Sequence, residues 1–71
     1  MPPIQNVEEA IGAGEAFLSK YYVIKRPMDV QREGDTWTLI FNVGLFFQER
    51  VELKIDANSG SIIGYTSPEN K

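Results

Sequence analysis

The sequence predicts an α+β domain in which one N-terminal helix packs on a four-stranded antiparallel meander sheet. Up to Tyr21, apolar residues recur every three or four positions, as on one buried face of a helix. After Tyr21 they recur at every second position, as in strands with one buried face. The connections between these later segments are short, and short connections favour antiparallel pairing of consecutive strands.

The helix is predicted at about 6–20. Asn6 is a favourable N-cap, and Glu9, three positions later, completes a capping-box pattern. A stripe of apolar or small residues is expected to face the core, and it consists of Val7, Ala10, Ile11, Gly14, Phe17, Leu18 and Tyr21.

Four strands are predicted after the helix. The first contains Met28 and Val30, and it is an edge strand or is broken at Pro27, because proline cannot donate a hydrogen bond to a ladder. The others are expected at 36–43, 49–56 and 61–66. Gly34 and Gly60 lie in the turns, with Gly60 expected in a left-handed conformation.

The length of 71 residues allows one domain, expected over 1–71 with loose ends at 1–5 and 67–71. A core this small leaves a thin margin of stability, which small proteins often supplement with disulfides, a metal or oligomerisation. Cysteine and histidine are absent, so disulfides and the usual zinc ligand sets cannot form. We therefore expect no metal and no cofactor. Formation of a homodimer is the remaining means by which this small domain could gain stability.

The charge pattern argues against two classes of partner. The net charge is −3 and the basic residues are scattered, so neither nucleic acid nor a membrane is expected. No apolar run approaches the roughly 18 residues that span a bilayer. The first residues show no signal-peptide pattern, and absent cysteine fits a reducing compartment, so a cytoplasmic location is expected.

Catalysis is not expected, and no catalytic residues are assigned. Without cysteine or histidine, the common nucleophile–base pairs cannot be built. Glu52 and Asp56 lie on the polar side of one strand with Lys54 between them. The simplest interpretation of these carboxylates is a solvated strand face with charge pairing to neighbours.

The most informative segment for function is Leu45–Phe47, which follows Gly44 in a short connection. Strict alternation sends Phe46 to one side and its two neighbours to the other, so all three cannot enter one core. Either the segment extends a strand beneath the helix, or it forms an exposed contact surface. We favour the contact surface, which Ile40 and one of Ile62 or Ile63 would enlarge from the sheet face opposite the helix.

Two segments resemble the PepSY family of small domains. They are the helix opening NVEEAI at 6–11 and the terminal hairpin VELKIDANSGSIIG at 51–64. The resemblance implies an α+β fold, an inhibitory or chaperone-like role, and no catalytic residues. The stretch 37–65 is also similar to gas-vesicle accessory proteins, although their Arg-rich ending is missing here.

The function predicted from the sequence is a non-catalytic protein–protein interaction or regulatory module that self-associates around Leu45–Phe47. One alternative is a small-molecule-binding module with a pocket between helix and sheet, lined by Trp37, Tyr65 and Phe46. Trp37 lies on the same face of its strand as Leu39, Phe41 and Val43, which favours a core position for this residue. A further alternative is an accessory factor of a larger assembly.

Overall fold

The computed structural model describes residues 3–66, and its elements follow the predicted order. The helix and strands are α1 (Val7–Leu18), β1 (Arg26–Glu33), β2 (Thr36–Asn42), β3 (Arg50–Asp56) and β4 (Ile62–Thr66). All three strand pairs are antiparallel, in the order β1-β2-β3-β4. The predicted helix and meander sheet are therefore confirmed, while the predicted loose tail at 67–71 lies outside the described residues.

Helix α1 begins with the predicted cap. The side-chain Oδ1 of Asn6 accepts a hydrogen bond from the backbone N–H of Glu9 at 2.8 Å. The carboxylate of Glu9 in turn accepts from the N–H of Gln5 at 2.8 Å. The reciprocal bond of this capping box thus reaches one residue before the N-cap, and two backbone donors at the helix start are satisfied.

Helix α1 ends at Leu18, two residues earlier than predicted. The N–H and the hydroxyl of Ser19 both donate to the carbonyl of Glu15, at 2.9 and 2.7 Å. The N–H groups of Tyr21 and Tyr22 then both donate to the carbonyl of Leu18, so the chain turns away from the helix axis. Tyr21 is 61% exposed, and its predicted place on the buried stripe was wrong because the helical period stops before it.

The two faces of the sheet have different chemistry. On the face toward α1, apolar residues pair across neighbouring strands, as in the row Val30, Leu39, Leu53 and Tyr65. The core residues are Ile4, Ala10, Leu18, Trp37, Leu39, Phe41, Val43, Val51, Leu53, Ile55 and Ala57. The opposite face is open and polar, and one of its rows is Asp29, Ile40, Glu52 and Thr66.

The start of the described chain is anchored, in contrast to the predicted loose lead at 1–5. Ile4 is buried, its N–H donates to the carbonyl of Ala57 at 2.8 Å, and its carbonyl accepts from Nε1 of Trp37 at 3.2 Å. The apolar side chain of Ile4 belongs to the core, and its two hydrogen bonds hold this residue against the sheet.

Both edge strands of the described sheet contain an irregularity. In β1 the register shifts between Pro27 and Asp29, so this strand is both an edge strand and interrupted beside the proline, as predicted. In β4 the shift leaves Ile63 as the extra residue between Ile62 and Gly64. Such bulges increase the local twist of a strand.

Candidate protein-interaction surface

The connection between β2 and β3, residues 43–49, is closed by hydrogen bonds at its base. The N–H of Val43 donates to the carbonyl of Glu49 at 2.8 Å. The side-chain Oδ1 of Asn42 accepts from the N–H of Gly44 at 3.0 Å and from the N–H of Glu49 at 3.1 Å. One asparagine therefore joins the two ends of this segment, which we call the apolar loop.

Gly44 is required by the tight path of the apolar loop. An ideal Cβ at Gly44 would lie 1.6 Å from the carbonyl oxygen of Phe47, closer than any contact between real atoms. Its φ is not positive, so space rather than backbone conformation selects glycine here. The guanidinium of Arg26 also donates to the carbonyl of Gly44 at 3.3 Å. The base of the loop is thus packed and hydrogen-bonded.

The tip of the apolar loop is exposed. Leu45, Phe46 and Phe47 are 67%, 86% and 81% exposed. No part of residues 3–66 covers them, so they do not extend a strand beneath the helix. The loop therefore combines a hydrogen-bonded base with three apolar side chains that are exposed to solvent within residues 3–66.

Two other exposed apolar residues lie at the same end of the molecule. The side-chain nitrogen of Gln48 lies 4.0 Å from the sulfur of Met28, so Met28 lies beside the loop. Val23, three residues before the β1 residue that pairs with Asn42, is 93% exposed. The end formed by the apolar loop and the start of β1 is therefore rich in uncovered apolar surface.

The structure does not join Ile40 to the apolar loop. Ile40 is half-buried on the open face of the sheet, where its cross-strand neighbours are Asp29 and Glu52. Thr38 and Asn42 flank it along β2 on that face. Its surroundings are polar, so the open face adds no continuous apolar area to Leu45–Phe47.

Ile62 and Ile63, the other residues expected to enlarge this surface, are separated by the bulge. Ile62 pairs with Ile55 and packs against the core on the helix side of the sheet. Ile63 is 57% exposed on the edge strand β4. Neither residue lies beside the apolar loop, which connects the two central strands.

The residues proposed for a pocket occupy separate places. Trp37 is 5% exposed and belongs to the core, with Arg32 lying over its ring at 5.5 Å. Phe46 lies beyond the other end of β2 from Trp37. Tyr65 lies on β4, where its ring contacts Phe17 at 5.4 Å and its hydroxyl shares a hydrogen bond with Tyr22 at 3.1 Å. These three aromatic residues do not line one pocket.

A shallow groove of about 310 Å³ does lie between α1 and β4. Its lining residues are Ala13, Ala16, Phe17, Lys20 and Ile62. A pocket between helix and sheet was among the predictions, but none of these lining residues was assigned to it. The sequence does contain a signal for it. Positions 13, 16, 17 and 20 are three or four residues apart, so they lie along one side of the helix, next to the stripe that faces the sheet.

Three charged residues of β3, Glu52, Lys54 and Asp56, make contacts within the sheet or its turn. Lys54 lies 3.6 Å from Glu52 in an exposed ion pair. Asp56 accepts from the N–H of Asn58 and from the hydroxyl of Ser59, which orders the hairpin before β4. In residues 3–66 no group of three or more acidic side chains is arranged to hold a metal ion. The one helix of this region is too short and too polar to cross a bilayer.

Comparisons with models of known protein families, with curated proteins and with solved structures gave no match. The resemblances to PepSY domains and to gas-vesicle accessory proteins therefore remain predictions.

Proposed function

We propose that this protein is a non-catalytic protein-interaction or regulatory module whose contact surface is the apolar loop. The observation that carries the proposal is the exposure of Leu45, Phe46 and Phe47 on a base closed by Asn42. Aromatic anchors of this kind dominate the binding energy of many interfaces, particularly when they enter a pocket on the partner. The cytoplasmic location expected from the sequence remains a prediction.

The chemistry of the loop favours a protein partner with an apolar pocket. Leu45–Phe47 contains no charged group, so its recognition depends on burial of apolar area, worth about 25 cal/mol per Å². Two rings held on a short, closed connection can enter a concave site with little loss of backbone freedom. The polar open face of the sheet offers no comparable surface.

The area of the loop also bears on self-association, the form of contact expected from the sequence. An aromatic side chain buries roughly 150–250 Å², so the three exposed side chains offer about 500 Å² in total. A stable interface buries about 800 Å² on each partner. Self-association through the loop alone is therefore expected to be weak, and a partner that encloses the rings would bind more tightly.

The small-molecule alternative has less support. The groove between α1 and β4 is lined by small or apolar side chains and Lys20, whereas ligand sites usually enclose most of the ligand and add several convergent polar groups. Ala16 and Lys20 are both exposed, so the groove is open along one side. The apolar loop is the better candidate for recognition.

Site-specific photo-crosslinking in an extract of the source cells tests the proposal. With p-benzoylphenylalanine in place of Phe46, we expect one dominant adduct that excess wild-type protein suppresses and excess F46S/F47S protein does not. The matched control carries the same probe in place of Asn58, which is exposed in the β3–β4 turn. An adduct of two copies of this chain would identify self-association through the loop.

Two results would contradict the proposal. The first is an identical adduct pattern from positions 46 and 58, because the loop would then have no specific partner. The second is unfolding of the F46S/F47S variant, because the rings would then belong to the core. We expect the variant to stay folded, with a free energy of unfolding within about 0.5 kcal/mol of the wild-type value, because substitutions at exposed positions usually have effects of this size.

A further inference from the structure

Three basic residues lie at the base of the apolar loop. Arg26 of β1 and Arg50 of β3 are the cross-strand partners of Asn42, so they lie on either side of the asparagine that closes the loop. Nη1 of Arg26 donates to the carbonyl of Gly44 at 3.3 Å, which holds this guanidinium against the loop. Lys25 comes directly before Arg26. The pairing of β1, β2 and β3 therefore creates a basic rim, which we define as Lys25, Arg26 and Arg50.

The basic rim has no carboxylate partner within residues 3–66. The one ion pair among these residues joins Lys54 to Glu52, farther along β3 from the loop. Glu49 is the one acidic residue of the loop itself, and Asp29 lies one row farther along the open face of the sheet. Three cations against Glu49 leave an excess of positive charge around Leu45–Phe47.

This basic end differs from the chain as a whole and from the opposite end of the sheet. The net charge of the chain is −3. The opposite end contains Glu33, Asp35 and Asp56, with Arg32 as the cation beside them. The N–H of Ala57 donates to the carbonyl of Asp35 at 2.7 Å, so the two turns at that end lie side by side. Charge is thus segregated along the strands, and such a field steers an acidic partner toward the apolar loop.

We infer that the partner of the apolar loop is a protein whose apolar pocket is rimmed by carboxylates. The inference rests on the proposed function and adds the charge of the partner to the apolar contact. Leu45–Phe47 enter the pocket, while the guanidinium groups of Arg26 and Arg50 meet acidic side chains around it. Guanidinium groups suit this position because they pair with carboxylates through two parallel hydrogen bonds. An apolar centre with a polar rim is the usual arrangement of a protein interface.

The basic rim also enlarges the contact area. The three apolar side chains offer about 500 Å², which is less than the roughly 800 Å² that each partner contributes to a stable interface. Arg26 and Arg50 are both exposed. The methylene stems of arginine cover apolar surface while the charged group stays at the margin. Contact through the loop and the rim together is therefore closer in size to a stable interface than contact through the loop alone.

A second copy of this chain fits these requirements less well. Its acidic end supplies carboxylates, but Ile4 and Ala57 are buried there and close the core, so no phenyl ring can enter. The groove between α1 and β4 offers apolar space, but its charged lining residue is Lys20, which repels the basic rim. A second copy thus presents its carboxylates and its apolar space in different places.

An anionic membrane matches the basic rim but not the charge of the whole chain. Such a membrane presents negative charge over a wide surface, which repels a chain with a net charge of −3. A protein pocket with a local rim of carboxylates meets only the basic end. The observations therefore favour a protein partner.

Competition in the photo-crosslinking experiment at position 46 tests the inference. Arg50 is exposed, so R50E reverses one charge of the basic rim and leaves the core unchanged. We expect R50E to need a concentration at least about tenfold higher than wild type to suppress the adduct, because it places like charges opposite each other. The matched control K54E makes the same reversal at an exposed residue on the same face of β3, away from the loop, and should compete like wild type.

Carbodiimide coupling gives a second measurement, which reads the chemistry of the partner directly. The reagent condenses an amine with a carboxylate, and R50K provides an amine where the wild-type chain has a guanidinium. Mass spectrometry should find an amide link between position 50 of this variant and an aspartate or glutamate of the protein that the position-46 probe captures. Lys54, on the same face of β3, should not be linked to that protein.

The outcomes separate the inference from the proposed function. If R50E competes like wild type while F46S/F47S does not compete, the acidic rim is overturned and the proposed function stands. If F46S/F47S competes like wild type, or if no adduct forms at position 46, both are overturned. An adduct of two copies of this chain would overturn the inference in favour of self-association. Binding to vesicles of equimolar phosphatidylcholine and phosphatidylserine that both R50E and F46S/F47S abolish would assign the surface to a membrane and would also overturn it.

Discussion

Gly14 of α1 lies directly against the ring of Phe41 in β2. An ideal Cβ at Gly14 would lie 2.9 Å from Cε1 of Phe41 and 3.3 Å from Cδ1 of Leu53. Both side chains are fully buried, so neither has free space into which to move. This contact sets how closely the helix approaches the sheet.

The effect of an added methyl group should therefore differ between the two glycines in the middle of α1. G14A gains about 1 kcal/mol of helix propensity but must displace packed atoms, which typically costs 1–3 kcal/mol. We expect it to lower the free energy of unfolding by about 1 kcal/mol. At Gly12 nothing lies within 4 Å of the added atom, so G12A should raise the free energy of unfolding by about 0.5–1 kcal/mol. Urea denaturation of both variants measures the difference, and equal shifts would show that the helix is not seated on Phe41.

The apolar loop should depend on Gly44. G44A places its methyl group where the carbonyl of Phe47 lies, so the loop must open and its hydrogen bonds to Asn42 must break. We expect the free energy of unfolding to fall by about 2 kcal/mol, the loss of one or two hydrogen bonds together with local repacking.

The photo-crosslinking yield at position 46 should fall in the same G44A variant, because the rings would lose their fixed base. The control is Q48A, which alters an exposed side chain of the same loop without touching its closure. A G44A protein with wild-type stability and wild-type crosslinking would contradict the rigid-loop interpretation.

The cap of α1 should contribute a measurable part of the stability of such a small domain. N6A removes the acceptor for the N–H of Glu9, and the loss of such a cap costs about 1 kcal/mol. N6D retains an acceptor of the same length and should be close to wild type. N58A, at an exposed turn residue, serves as the control in thermal unfolding. If N6A and N58A have the same midpoint, the cap contributes nothing to stability.

Much of the fold could be predicted because the governing interactions are local. Trp37, Leu39 and Phe41 alternate with Thr36, Thr38, Ile40 and Asn42, of which all but Ile40 are polar, and this pattern is sufficient to define one buried face of β2. The left-handed Gly60, with φ of 77°, marks the hairpin before β4. The end of α1 was harder to predict, because Tyr21 continues the apolar spacing although the N–H groups of Lys20 and Tyr21 already bond to carbonyls three residues back instead of four.

The candidate surfaces could be predicted only in part. The sequence alone shows that Leu45–Phe47 cannot enter one core together, but exposure depends on whether another element covers them. Ile40 illustrates the same limit, since its neighbours across the sheet, Asp29 and Glu52, are distant in the sequence. For the groove between α1 and β4, the spacing of 13, 16, 17 and 20 indicates one side of the helix, but the strand that lies beside this side is decided by tertiary packing.

The sequence by itself determined the type and order of the helix and strands and the buried faces of the two central strands, because hydrophobic period and capping act between residues a few positions apart. Only the tertiary structure decided that no part of residues 3–66 covers the apolar loop, that Ile4 completes the core, and that a bulge interrupts each edge strand of the described sheet. Those properties depend on which elements lie beside one another, and this proximity is set by packing around Gly14 and Phe41 rather than by local pattern.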